Sequence, residues 1–171
     1  AMDEKRERLI NVGAETLADA LLKLAVHDDA AGDLVDRLIA TPEENVKRFK
    51  SKISGLKRMP RFVPYGEASA FAHELEDLLD RLRMGVNDPR NGARLVAAFY
   101  KTDDAVFSSC DDSRGTIGNV YRYDARELFV AYASRCEDKE WLADLVLELN
   151  EEDHYGVRDS LIDRAAEYLP E

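Results

Sequence analysis

Three kinds of residue in this chain could do chemistry: acids in tight turns, histidines beside acids, and one dense run of bases. The run Asp111-Asp112-Ser113-Arg114-Gly115 has the look of an oxygen-rich cation loop. It fails the EF-hand pattern, which needs oxygen ligands at positions one, three and five and Gly at six. Aligned on Gly115, Cys110 stands at one and Arg114 at five. The expectation is therefore a turn whose Asp or Ser caps the following helix. Asp153-His154-Tyr155-Gly156 is a second acidic turn, and His27 sits beside Asp28 in a third. A histidine next to carboxylates can sense pH, but turn residues of this kind are read as solvated.

His73 and Asp77 stand four apart on one helix face. They would supply half a metal site, and no second pair completes it, so no metal is assigned. Cys110 and Cys136 match no zinc spacing and lie beside acids that raise a thiol pKa, so neither is a nucleophile. Gly115-Thr116-Ile117-Gly118 lacks the lysine and the preceding strand of a phosphate loop. No catalytic residue and no cofactor is assigned.

The bases gather in Lys47–Arg61: Lys47, Arg48, Lys50, Lys52, Lys57, Arg58 and Arg61, with no Asp or Glu among them. The whole chain carries a formal net charge of −11, so this is a positive island in an acidic protein. An acidic total repels phosphate at long range and argues against general nucleic-acid binding. The island remains a surface for a nucleic acid or an acidic protein, with salt-sensitive binding. Only Phe49 and Phe62 could stack a base, and Phe49 lies on the apolar stripe of its own helix. The plain alternative is a solvated helix face balanced by Glu76, Asp77 and Asp80 of the next long helix.

The elements that must position these residues are helical. At 171 residues the chain can bury roughly 70% of its unfolded surface without disulfide or metal. Its 35% charged content and only nine Gly and five Pro favour long helices with solvated faces. Residues 3–12 predict a short helix ending near Gly13. Leu17, Leu21 and Leu24 mark the next, stopped at Asp28-Asp29, and Leu34, Val35, Leu38 and Ile39 mark a third, paired with it as a hairpin. Thr41-Pro42-Glu43-Glu44 opens the basic helix, whose inner face is Val46, Phe49, Ile53 and Leu56 and which Gly55 is expected to end or loosen.

Pro60 and Pro64 frame a connector. Helices follow over 67–84, from Asp88-Pro89 through Tyr100, over 102–109, from Ile117 to about Arg135, and through Trp141–Leu149. A single last helix carries Leu161, Ile162, Ala165 and Leu169. No stretch alternates at period two, so no strand is expected.

The expected fold class is all-α: an array of short antiparallel helix pairs, either superhelix-like or an irregular bundle. The expected domain is 2–171, with 2–59 and 66–171 as two lobes joined by connector 60–65. Ala1 ahead of Met2 reads as a cleavage scar. Leu17-Ala18-Asp19 and Leu142-Ala143-Asp144 begin similar segments that each run into an acidic turn, an internal echo that suits an array. The absence of a long apolar run and the two lone cysteines point to a soluble, cytoplasmic protein with no membrane partner.

Four segments carry a resemblance: GAETLADALLKLA, RFVPYGEASAFAHELEDLL, CDDSRGTIGNVYRYDARELF and LADLVLELNEEDHYGVRDSL. Together they resemble a bacterial family known only as a domain of unknown function. The most specific part is the run Asp112-Ser113-Arg114-Gly115-Thr116-Ile117-Gly118. The turn Asp153-His154-Tyr155-Gly156 follows the family's Asp-Tyr-Gly turn with His154 inserted. The resemblance implies an all-helical fold and members generally longer than this chain. The chain would then be the N-terminal part of an array, and Leu161, Ile162 and Leu169 would form a cut surface or a homodimer contact. Some such helical regions accompany a SWIM-type zinc finger, whose CxC and CxH ligands are absent here. The family supplies no activity, so no catalytic residue carries over.

Three function classes follow. The first is a non-enzymatic scaffold or protein-interaction domain with an unknown protein partner. The second is a nucleic-acid-associated module working through residues 47–61. The third is a metal-assisted hydrolase, which needs Asp111, Asp112, Asp153 and His154 to converge.

Overall fold

The computed structural model describes residues 1–170. It divides into two compact units, Ala1–Thr41 and Pro42–Glu171. The Pro-framed connector lies inside the second. The described residues are all-α, with no β-strand and one isolated bridge between Val63 and Cys110.

The first unit holds α1 (Met2–Val12), α2 (Ala14–Ala25) and α3 (Asp29–Ile39). Gly13 joins α1 to α2 at φ 97°, a conformation that glycine adopts without strain. Asp28 starts α3, its carboxylate accepting the Ala31 N–H at 3.1 Å. α2 and α3 pack as the expected hairpin. Within this unit only Ala31 is buried, and Leu9, Ile10, Leu22, Leu38 and Ile39 are exposed.

The second unit carries the core. α4 (Pro42–Arg58) buries Phe49 and Ile53, with Val46 and Leu56 packed beside them. Gly55 does not end it: the helix runs on for another turn. α5 (Ala68–Gly85) follows a 3-10 turn at Tyr65–Glu67 and packs on α4. It buries Leu75, Leu78, Leu79 and Leu82. Asn45 of α4 donates from Nδ2 to the Gly85 carbonyl at 3.4 Å. A Cβ at Gly85 would lie 2.7 Å from the Asn45 side chain, so the close approach of the two helices requires glycine there.

Asp88 caps α6 (Pro89–Tyr100) by accepting the Asn91 N–H at 2.8 Å, and Pro89 takes the first turn, where its missing donor costs nothing. α7 (Asp103–Ser108) is short.

The expected long helix from Ile117 to Arg135 is continuous but not uniform. α8 (Thr116–Asn119) passes into a π segment (Val120–Ala125) and then into α9 (Arg126–Arg135). Tyr121 of the π segment is fully buried, stacked on Phe99 with ring centroids 4.7 Å apart. α9 lies along α6, while α8 and the π segment lie against α5. α10 (Lys139–Glu151) is capped by Asp138, which accepts the Trp141 N–H at 3.1 Å. Because α5 and α6 each touch several other helices, this unit is an irregular bundle, one of the two forms the sequence left open.

The last predicted helix is broken. The chain forms one turn, α11 (Ser160–Asp163), then a 3-10 turn at Ala165–Glu167. The Tyr168 hydroxyl donates to the Leu161 carbonyl, the acceptor that a continuing α-helix would offer to Ala165. Leu161 is buried and Leu169 packs on the core, so the expected exposed face at this end is not formed; of its three residues only Ile162, at 39%, is exposed.

Candidate functional site

The acidic turns are built alike. In the first, Asp112 Oδ1 accepts the Ile117 N–H at 2.9 Å and Oδ2 accepts the Gly118 N–H at 2.8 Å. In the second, Asp153 Oδ1 and Oδ2 accept the N–H groups of Val157 and Arg158, both at 3.1 Å. Gly115 at φ 74° and Gly156 at φ 65° stand three residues after each Asp. Left-handed glycine folds the chain back so that one carboxylate spans two successive amides. Both carboxylates thus serve the backbone. The predicted capping turn is what forms at residues 111–115.

Asp111 Oδ1 accepts the Ser113 N–H at 3.1 Å and also the Ser113 hydroxyl. These bonds to the charged form hold the Asp111 carboxyl below its ordinary value. Arg114 lies over the Tyr65 ring, 4.5 Å from its centroid, and donates from Nε to the Tyr65 hydroxyl. The connector is tied to the same loop: Val63 N donates to Ser109 O and Asp111 N to Val63 O, both at 2.8 Å.

His154 does not approach the first acidic loop. Its Nδ1 faces the Asp104 carboxylate at 3.1 Å and 3.2 Å. His73 meets Glu76, at 3.2 Å, in place of the expected Asp77. The difference is one of helical reach: both i+3 and i+4 are neighbours on a helix surface. Asp111, Asp112, Asp153 and His154 are not brought together, and among the described residues no group of three or more His, Cys, Asp or Glu is arranged to hold a metal ion.

Cys110 is half-buried. Burial, and then the negative Asp112, pushes its thiol up to about 11. Only the thiolate reacts. Alkylation of native protein by iodoacetamide at pH 8 is expected to be on the order of a hundred-fold slower than for a free cysteine, and to accelerate up to about pH 11. Peptide mass spectrometry over a pH series measures this; a rate at pH 8 equal to that of free cysteine would contradict it. Cys136 is buried and does not compete.

The basic stretch lies mostly on α4, with Arg61 in the connector. All seven bases are exposed. Among the described residues only Arg61 makes an ion pair, with Glu67 at 2.7 Å. At 100° per residue, Phe49 and Ile53 face inward, Lys47, Ser51 and Arg58 face outward, Arg48 and Lys52 lie on one flank, and Lys50 and Lys57 on the other. The balance expected from α5 does not take the form of ion pairs. Glu76 is taken by His73 and Asp80 by Arg83 at 3.0 Å. Lys52 does share a surface groove with Glu74, Asp77 and Arg81 of α5.

One polar centre was not legible as such in sequence. Arg158, 2% exposed, forks onto Asp103, 0% exposed, at 2.9 Å through Nε and 2.8 Å through Nη2. Its remaining donors reach the Leu149 carbonyl at 3.2 Å and the Tyr100 carbonyl at 3.3 Å. Beside it the Thr102 and Tyr121 hydroxyls meet at 2.7 Å. Burial pushes the Asp103 carboxyl above its ordinary value, against the opposing pull of Arg158. The pair joins the ends of α6 and α10 to the start of α7. Being closed to solvent, it holds the fold and offers nothing to a ligand.

No helix among the described residues is long and apolar enough to cross a membrane. No curated protein and no solved structure matches the chain. A family match does exist, and it brings no zinc-finger association with it. The family model, described as a Family of unknown function (DUF6880), matches residues 5–171, and the chain belongs to that family.

Proposed function

We propose that this chain is a non-enzymatic protein-interaction domain in which α4 is the docking surface for an acidic protein partner. The observation that carries this reading is positive charge that enters no internal ion pair. Lys47, Arg48, Lys50, Lys52, Lys57 and Arg58 project from a helix anchored by Phe49 and Ile53, and none is in an ion pair among the described residues. The acidic turns favour the same reading, because the carboxylates of Asp112 and Asp153 are engaged in capping. Rim charges of this kind speed association and choose the partner more than they add affinity. An acidic protein suits the helix better than a nucleic acid, since its one aromatic, Phe49, is buried and the exposed Phe62 lies beyond its end.

The test is a capture experiment from host lysate, run in parallel with wild type and with Lys47→Glu, Arg48→Glu, Lys50→Glu and Lys52→Glu combined. A discrete set of proteins is expected with wild type, lost with the variant and insensitive to nuclease. Equal capture by both proteins overturns the reading. Loss of capture on nuclease treatment moves it to the nucleic-acid class.

A further inference from the structure

The second unit has a positive face and a negative one. α4 is the positive one. The negative one is a groove of about 340 Å³ between α5 and the π segment with α9. Glu76, Asp80, Asp124 and Glu127 form its rim, Leu79, Leu128 and Ala131 its floor, and Arg83 is its one lining base. Glu76 is met by His73, Asp80 by Arg83, and Glu127 by Arg126 and Arg164. Asp124 is in no ion pair among the described residues, and its carboxyl is pushed up by burial and then by Glu76 and Asp80. Asp124 lies within the π segment itself.

We infer that the partner of α4 is a second copy of this chain, with α4 of each copy seated on the acidic α5–π groove of the other. This rests on the reading of α4 as a docking surface. Basic helix and acidic groove are complementary in sign. They belong to one chain, so a two-fold axis forms the contact twice. Lys47 and Arg58 point outward from α4 with Ser51 and Ser54 between them, small enough to let the helix approach the rim. Lysine and arginine stems would cover the apolar floor while their heads reach Asp80 and Asp124.

Sedimentation velocity tests this. Wild type is expected to form a dimer at about 0.1 M salt, where the general repulsion between two acidic chains is largely screened. Its association is expected to weaken about tenfold or more at about 1 M, where contact pairs are screened too. A groove variant (Glu76→Lys, Asp80→Lys, Asp124→Lys) and a helix variant (Lys47→Glu, Arg48→Glu, Arg58→Glu) should each be monomeric, and an equimolar mixture should dimerise. That rescue cannot come from misfolded protein. Wild type that stays monomeric at every concentration overturns the inference, as does a mixture that stays monomeric while both variants keep wild-type far-UV circular dichroism. Neither result touches the lysate comparison, so the docking reading stands or falls separately.

Discussion

Arg158→Leu is expected to lower the unfolding free energy by about 3–5 kcal/mol, read as a lower urea midpoint at unchanged slope. The variant leaves Asp103 with no exposed surface and no cation, and it strands the Leu149 and Tyr100 carbonyls. An uncompensated buried charge is far costlier than a lost surface pair. The double variant Asp103→Leu/Arg158→Leu should cost less than Arg158→Leu alone, because it removes the stranded charge with its partner. A cost below about 1 kcal/mol for the single variant would mean that the pair is solvated.

The pH dependence of Arg158→Leu follows from the direction of the Asp103 shift. Burial raises this carboxyl, so its neutral form is favoured in the folded state. Its contribution is therefore full below the ordinary carboxylate range and lost as pH rises through the raised value. Without Arg158 the opposing pull is gone and the raised value moves further up. The deficit of the variant should shrink on acidification and grow toward neutrality, the reverse of ordinary acid lability.

Gly92→Ala is expected to cost about 2–3 kcal/mol, although alanine is the better helix former. A Cβ at Gly92 would stand 2.3 Å from the Tyr132 ring. The ring cannot swing aside freely: its hydroxyl donates to the carbonyls of Val86 at 2.6 Å and Leu82 at 3.1 Å, clamping the far end. Overpacking against a held ring must move α6 from α9. Gly55 supplies the contrast. It also lies within a helix, but a Cβ there meets nothing within 4 Å. Gly55→Ala should stabilise by about 0.5–1 kcal/mol through backbone entropy alone. Thermal unfolding of the two variants should move in opposite directions. A neutral Gly92→Ala would contradict the tight packing of α6 on the Tyr132 ring. In a Tyr132→Leu background its cost should fall, since the obstructing ring is gone.

Both predictions rest on residues that sequence reading passed over. Gly92 looks like an ordinary helical glycine until Tyr132, forty positions away, lies across it. Arg158 is one of 24 bases and Asp103 one of 35 acids, and neither has a distinguishing neighbour in the chain. The π segment was equally hidden, because Val120, Tyr121 and Leu128 fit a regular helix as well as they fit the observed one. The correction at the C-terminus has the same origin: apolar spacing at Leu161, Ile162, Ala165 and Leu169 suits one helix, but Tyr168 takes the carbonyl that would continue it.

Local information did decide the all-helical class and most helix starts. Asp28, Asp88 with Pro89, and Asp138 stop or start helices through bonds that span only a few residues, so the sequence contains all their partners. The same holds for Asp112 and Asp153, whose carboxylates close on amides four to six residues ahead, and for the inner face of α4 at Phe49 and Ile53. Tertiary structure decided which charges pair across distant parts of the chain. A helical period says which way a side chain points, not what lies opposite. Arg158 became a buried clamp because α6, α7 and α10 meet around it. The bases of α4 form no ion pair with Glu76 or Asp80 of α5, which meet His73 and Arg83 of their own helix.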